Sequence, residues 1–245
     1  MEMNRELIKK NSALRKCARN QLSGHWGTAL LLCLIYGIII SIICGILNRF
    51  LPGYQSFSSV MTNGTDTTAS TYHSFFSTIL YSIVAAPFVL GLVSCFINLV
   101  RDEPFRIEGL FDGFKNLSSA LILNLLMLIF TTLWALLLVI PGIIAFYRYS
   151  MAFYILNDNP EMSSMDALKA SKKMMKGFKW KLFCLHLSFI GWAILSMFTI
   201  FIGLLWLTPY IHASIANFYQ NLKDAAETGT SAQENKVPYE INPTY

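Results

Sequence analysis

Residues 119–157 form a run of 39 residues that carries one basic residue, Arg148. A single helix of that length, at 1.5 Å per residue, would be about twice as long as a ~30 Å hydrocarbon core is thick. The run must therefore turn back on itself. Pro141-Gly142 is the natural break, because proline lacks the N–H and glycine permits a turn. This divides the run into a segment over 119–140 and another over about 141–157. A hydrophobic hairpin with a minimal external turn is the simplest geometry, and a re-entrant or broken helix is the alternative.

Four further apolar segments accompany these two, over roughly 27–47, 78–100, 182–203 and 204–222. Only 13% of the residues are charged, about half the share in a soluble domain. The sequence thus predicts an all-α, polytopic helical membrane protein with about six transmembrane helices. No cleavable signal peptide is expected, because the first apolar run is too long for an h-region and no A-x-A site follows it. A single membrane domain covers 1–224. A polar tail over 225–245 reads as disordered and cytoplasmic.

The net charge of +5 does not point to nucleic acid, because the basic residues cluster between apolar segments. With the N-terminus inside, internal regions hold 17 of the 19 Lys and Arg. Arg49 lies in the external loop, and Arg148 lies within a span. That asymmetry predicts a membrane protein with both termini on the cytoplasmic side. The external loop, 48–77, is rich in Ser, Thr and Gly and reads as flexible. Its Asn63-Gly64-Thr65 matches a glycosylation acceptor, a weak signal. The five cysteines include no CxxC pair and read as small hydrophobes.

Amphipathic stretches separate the spans. Residues 4–22 place Leu7, Leu14, Ala18 and Leu22 on one arc and Arg5, Lys9, Lys16 and Arg19 on the other. This predicts an interfacial helix with its apolar face in the membrane and its bases on anionic headgroups. Packing against another cytoplasmic loop is the alternative. Residues 101–118 predict a short interfacial helix anchored by Phe111 and Phe114. After Asn159-Pro160, Ser163 or Ser164 can cap a helix, with Asp166 at capping-box spacing from Ser163. That helix sets Met165, Leu168, Ser171 and Met175 against a basic face of Lys169, Lys172, Lys173 and Lys176.

A threefold internal pattern emerges. Gly24-His25-Trp26, Gly113-Phe114-Lys115 and Gly177-Phe178-Lys179-Trp180 each precede a span. Pro87 is followed by Phe96, Asn98, Arg101 and Asp102, and Pro209 at identical spacing by Phe218, Gln220, Lys223 and Asp224. Pro141 fits with about two extra residues, leading to Phe153 and Asn157-Asp158. Such repeats occur in transport proteins, whose sites often lie at repeat interfaces. Borders rich in Pro, Gly and aromatics also converge without any repeat.

Few residues carry recognisable chemistry. Arg148, flanked by Tyr147 and Tyr149, is the candidate intramembrane polar site, near the middle of the fourth span. It can bind an anion or lipid headgroup, with cation–π help from the tyrosines, or serve structurally by snorkelling. His186 and His212 fall at opposite ends of their spans, so a shared metal site is not expected. Asn98, Asn124 and Asn217 read as interhelical hydrogen-bond partners. Asp102, Asp158 and Asp224 read as caps or as partners of nearby lysines. No acid lies inside a span and no hydrolase motif occurs, so neither a carboxylate-driven carrier nor an intramembrane hydrolase is indicated. No catalytic residue, metal or cofactor is expected.

Several motifs carry a resemblance: Gly24-His25-Trp26-Gly27-Thr28-Ala29-Leu30, Leu110-Phe111-Asp112-Gly113-Phe114, Ile140-Pro141-Gly142-Ile143-Ile144, Tyr149-Ser150-Met151-Ala152-Phe153-Tyr154-Ile155-Leu156, Asn159-Pro160, and Ala167-Leu168-Lys169-Ala170-Ser171 with Met175-Lys176-Gly177. Over about 1–224 the chain resembles a bacterial integral-membrane family catalogued only as a domain of unknown function (nine-seven-five). The resemblance implies a multi-pass cytoplasmic-membrane protein and carries no functional residues. A distant similarity extends to the membrane domain of some glycerophosphodiester phosphodiesterases, without implying their activity. The leading expectation is a non-enzymatic, membrane-organising or accessory protein. Its partners are anionic lipids, met through Lys9, Lys16, Arg19, Lys169, Lys172, Lys173 and Lys176. A small transporter or permease component with a site near Arg148 comes second, and a lipid-modifying enzyme third.

Overall fold

A computed structural model describes residues 8–50, 67–198 and 202–234. Every regular element among them is helical. The helices are α1 (Asn11–Leu22), α2 (Trp26–Phe50), α3 (Thr67–Val100), a 3-10 helix (Ile107–Asn116), α4 (Leu117–Leu137), α5 (Val139–Tyr149), α6 (Ala152–Asp158), α7 (Ser164–Met174), α8 (Lys179–Met197) and α9 (Ile202–Glu234).

Among the described residues, three stretches are long and apolar enough to cross a membrane: Trp26–Leu47, Ile79–Val100 and Ile107–Leu137. A fourth qualifies if α7 and α8, which meet at 85°, count as one broken span. These long helices differ in enclosure. Of the apolar stretch in α3, 67% is buried, against 6% in α2. The difference makes α3 the central helix, packed by α2, the 3-10 helix, α4, α6 and α9. Two glycines permit its closest approach. A Cβ on Gly91 would collide with the Leu110 carbonyl oxygen, and one on Gly113 with that of Pro87. The 3-10 helix can lie against α3 only because both positions lack side chains.

The 119–157 run folds as a hairpin, but it turns earlier than Pro141. Leu138 is extended and ends α4, and Pro141 sits in the first turn of α5. First-turn N–H groups have no intrahelical acceptor, so proline costs little there. Gly142 lets the arms touch, since a Cβ would stand 2.7 Å from the Ala135 Cα.

The second arm is not one helix over 141–157. It breaks at Ser150-Met151 and resumes as α6. The Ser171 hydroxyl of α7 bridges the break. It donates to the Arg148 carbonyl at 3.0 Å and accepts from the Met151 N–H at 3.3 Å. One fully buried hydroxyl thereby satisfies backbone groups on both sides of the interruption.

Several boundaries shift from their expected places. The helix expected over 4–22 begins at Asn11, and residues 8–10 are not helical. Helix α3 starts at Thr67, inside the segment expected as a flexible 48–77 loop. Asn63-Gly64-Thr65 lies outside the described residues. Helix α9 continues to Glu234, so 225–234 is helical rather than disordered. Its surface offers local support there, with Gln220 donating to Asp224 at 2.8 Å and Thr228 to the Asp224 carbonyl at 2.9 Å.

The apolar face of α1 is also used differently. Leu14, Ala18 and Leu22 are almost fully buried against α9, α3 and α8. Burying each leucine is favourable by about 1.5–3 kcal/mol wherever the apolar cover comes from. Here the cover is protein, not lipid. The bundle fixes α1 further by polar contacts. The Lys9 N–H donates to Asn221 at 2.9 Å, Asn11 donates to the Lys181 carbonyl at 3.0 Å, and Lys181 donates to the Ile8 carbonyl at 3.2 Å.

Candidate functional site

Two groups of basic residues gather where helices meet, and they differ in one respect. The first surrounds Asp158, the last residue of α6. Its side chain is 4% exposed. Oδ2 accepts from Arg101 Nη2 at 2.7 Å, Lys223 Nζ at 2.6 Å and the Tyr219 hydroxyl at 2.9 Å. Arg101 Nε also donates to Gln220 at 3.0 Å. The group thus ties the end of α3 to α6 and α9. Burial alone would raise the Asp158 carboxyl, but the hydrogen bonds from Arg101, Lys223 and Tyr219 outweigh it and hold the group below its ordinary value. The sequence predicts a cap or a nearby lysine partner for Asp158. Its actual partners Arg101 and Lys223 lie 57 and 65 positions away in the chain.

The second group surrounds Arg148. This residue sits in the last turn of α5, beside the break, and is half-buried. Its Nε is buried and has no hydrogen-bond partner. Lys172 follows Ser171 directly, and Ser171 holds the Arg148 carbonyl. Lys179 opens α8, whose first turn contains no acid. Gly177, at φ 87°, allows the sharp turn from α7 into α8. Burial pushes the Lys179 ammonium below its ordinary value, and the nearby charges of Arg148 and Lys172 push it further. Three cations therefore share one neighbourhood.

Tyr147 and Tyr149 have different ring partners. Tyr147 packs edge-on against Phe183 and His186 of α8, at 5.9 and 5.7 Å between ring centroids. Tyr149 is buried against Phe130 of α4 at 6.1 Å.

The remaining basic candidates lie on the surface. Lys9, Lys16 and Arg19 are exposed on and beside α1, and Lys169, Lys172, Lys173 and Lys176 are exposed on and just after α7. Leu168, Ser171 and Met175 are buried on the opposite side of that stretch, while Met165 is 38% exposed. Ser163 caps α7, accepting from the Asp166 N–H at 3.2 Å. Asp166 pairs with Lys169 at 3.1 Å.

His186 bonds to the Leu182 carbonyl of its own helix at 3.0 Å, and His212 stacks on Phe96 at 5.3 Å. The two histidines thus have separate packing partners. Among the described residues, no group of three His, Cys, Asp or Glu is placed to hold a metal ion. Asn124 bonds to Ser82 on α3, and Asn217 to Gln21 on α1, as interhelical partners. Asn98 instead serves its own helix end. With its amide oriented to donate, it reaches Glu103 Oε2 at 3.1 Å and the Ser94 carbonyl at 3.3 Å.

No curated protein and no solved structure matches this chain. One family model does, over residues 1–146 and 136–226, and it is described as "Protein of unknown function (DUF975)". The two matched segments overlap around the α4–α5 turn and together reach from α1 into the last third of α9. The chain therefore belongs to the DUF975 family.

Proposed function

We propose that this chain is a non-enzymatic, six-span protein of the bacterial cytoplasmic membrane, with both termini inside and a membrane-organising or accessory role. Its basic face meets anionic lipid. The observation that carries this reading is the division of the α7 stretch. Leu168, Ser171 and Met175 serve internal packing, while Lys169, Lys172, Lys173 and Lys176 stay exposed. The lysines can thus face headgroups, each contributing about 1 kcal/mol near an anionic surface.

A threefold repeat underlies the six spans in this reading. Arg101, Asp158 and Lys223 each stand five residues after a buried phenylalanine, namely Phe96, Phe153 and Phe218. The three charges meet in one cluster. The helix break at Ser150-Met151 accommodates the longer spacing after Pro141. The entries are less alike. Gly24 and Gly177 are both left-handed, whereas the 3-10 helix runs through Gly113 directly into α4.

The test uses the full chain in nanodiscs of mixed phosphatidylglycerol and phosphatidylcholine. With the other four tryptophans replaced by Phe, Trp180, 72% exposed beside these lysines, reports its neighbours when one lipid is brominated. Brominated phosphatidylglycerol is expected to quench Trp180 more than brominated phosphatidylcholine at equal mole fraction. Replacing Lys169, Lys172, Lys173 and Lys176 with Gln should remove most of that preference. An unchanged preference would exclude the basic face as the lipid contact.

A further inference from the structure

We infer that Arg148, Lys172 and Lys179 form a site for a phosphate-bearing anion, set into the junction of α5, α7 and α8. This deepens the lipid-facing reading and rests on it, but it claims a built site where that reading needs only a charged face.

Three independent features converge. The first is position. Ser171 fastens α7 to the Arg148 carbonyl, so Lys172 is fixed one residue from that anchor. Helix α5 touches both α7 and α8, and Tyr147, next to Arg148, packs on Phe183 one turn beyond Lys179, which puts Lys179 in the same neighbourhood. The second is the lack of compensation. The Arg148 Nε is buried without a hydrogen-bond partner, and α8 has no acid in its first turn. The acid in the first turn of α7, Asp166, pairs instead with Lys169 and Ser163. The third is chemistry. A guanidinium offers a fixed fork of donors that fits tetrahedral oxyanions, and two ammonium groups supply point charge around it. A buried donor left unpaired is unfavourable, and an accepting oxygen would relieve it. The depressed ammonium of Lys179 agrees with this, because an anion among the three cations would raise it again.

Phosphate can arrive on a lipid headgroup or free in solution. The experiment measures binding of dioctanoyl phosphatidylglycerol, dioctanoyl phosphatidylcholine and inorganic phosphate to the full chain in neutral detergent, by calorimetry and Trp180 fluorescence. Arg148→Gln/Lys179→Gln is compared with Lys173→Gln/Lys176→Gln, which removes the same charge from the exposed face. Loss of at least tenfold in phosphatidylglycerol affinity for the first pair, with less than twofold for the second, supports the site. Binding of inorganic phosphate with the same mutational pattern assigns the site to free anion, and lipid binding alone assigns it to the headgroup. Equal losses for both pairs overturn the site and leave the charged-face reading intact. No preference of the unmodified chain for phosphatidylglycerol, together with no phosphate binding, overturns both. Arg148→Lys guards against misfolding. It keeps the charge and loses the fork, so it should retain the melting temperature of the parent chain while weakening binding several-fold. Unchanged binding in a folded Arg148→Lys protein also overturns the inference.

Discussion

Two cationic groups stand at helix junctions of the same bundle, and one carboxylate separates their fates. Arg101 and Lys223 converge on Asp158, and all three are engaged in holding α3, α6 and α9 together. Among the described residues, Arg148, Lys172 and Lys179 have no carboxylate within salt-bridge distance, and the nearest acid on α7, Asp166, is already engaged by Lys169. Basic residues at the edge of an apolar bundle thus have two outcomes. A buried internal counter-ion turns them into a tie between helices. Without one, as at Arg148, a buried donor is left without a partner. The sign of the charge is the same in both places, so basicity alone does not tell a structural cluster from a binding one.

The sharpest way to break the comparison is to remove the carboxylate. Asp158→Asn leaves Arg101 and Lys223 facing each other across a desolvated position. Breaking a buried pair costs about 3–5 kcal/mol, and the partial exposure of both partners brings the expected loss nearer about 3 kcal/mol. Arg101→Gln should cost less, because Lys223 and Tyr219 still donate to Asp158 Oδ2. Thermal unfolding of the purified protein in detergent would check the order. If Asp158→Asn is no less stable than Arg101→Gln, the cluster is not a tie held by its acid.

Acid provides a gentler route to the same lesion. The Asp158 carboxyl titrates below its ordinary value of 3.8 in the folded chain. Its stabilising contribution is therefore complete above the unfolded value and is lost as pH falls through the folded one. Melting temperatures measured from pH 6 downward should fall more steeply below about pH 4 in the parent chain than in Asp158→Asn. Parallel profiles would place the acid sensitivity elsewhere.

This contrast between the two clusters was half legible in the sequence, and the reasons are physical. The return of the 119–157 run follows from length against bilayer thickness, and the structure shifts the turn by only a few residues. The Ser163 cap follows from spacing within one turn. The Asp158 partners could not be read this way, because helical periodicity relates residues a turn or two apart and these lie 57 and 65 apart. The shared five-residue offset from Phe96, Phe153 and Phe218 was the one signal that could have joined them. The face of α1 was legible as apolar, but helical periodicity is blind to what covers such a face. Leu14 and Leu22 fit lipid and protein equally well, and only the tertiary contacts decide. Arg148 was visible as a costly charge. Its place beside a helix break was not, because Ser150-Met151 has no glycine or proline to announce the interruption and the stabilising hydroxyl comes from Ser171 on another helix.

The smallest expected effect sharpens the comparison from the other side. Lys169 belongs to the same basic face as Lys172, yet it already has a partner in Asp166 at 3.1 Å. Both side chains are more than half exposed, so water screens the pair and replaces it readily. Lys169→Gln should leave the melting temperature unchanged within error. It should also reduce the phosphatidylglycerol preference less than Lys172→Gln does, because Asp166 already offsets its charge while Lys172 contributes to the field around Lys179. Trp180 quenching in nanodiscs distinguishes the two single variants. Equal reductions would mean that headgroups respond to the count of lysines on α7. A larger effect at Lys172 would mean that they respond to the neighbourhood that lacks its own counter-ion.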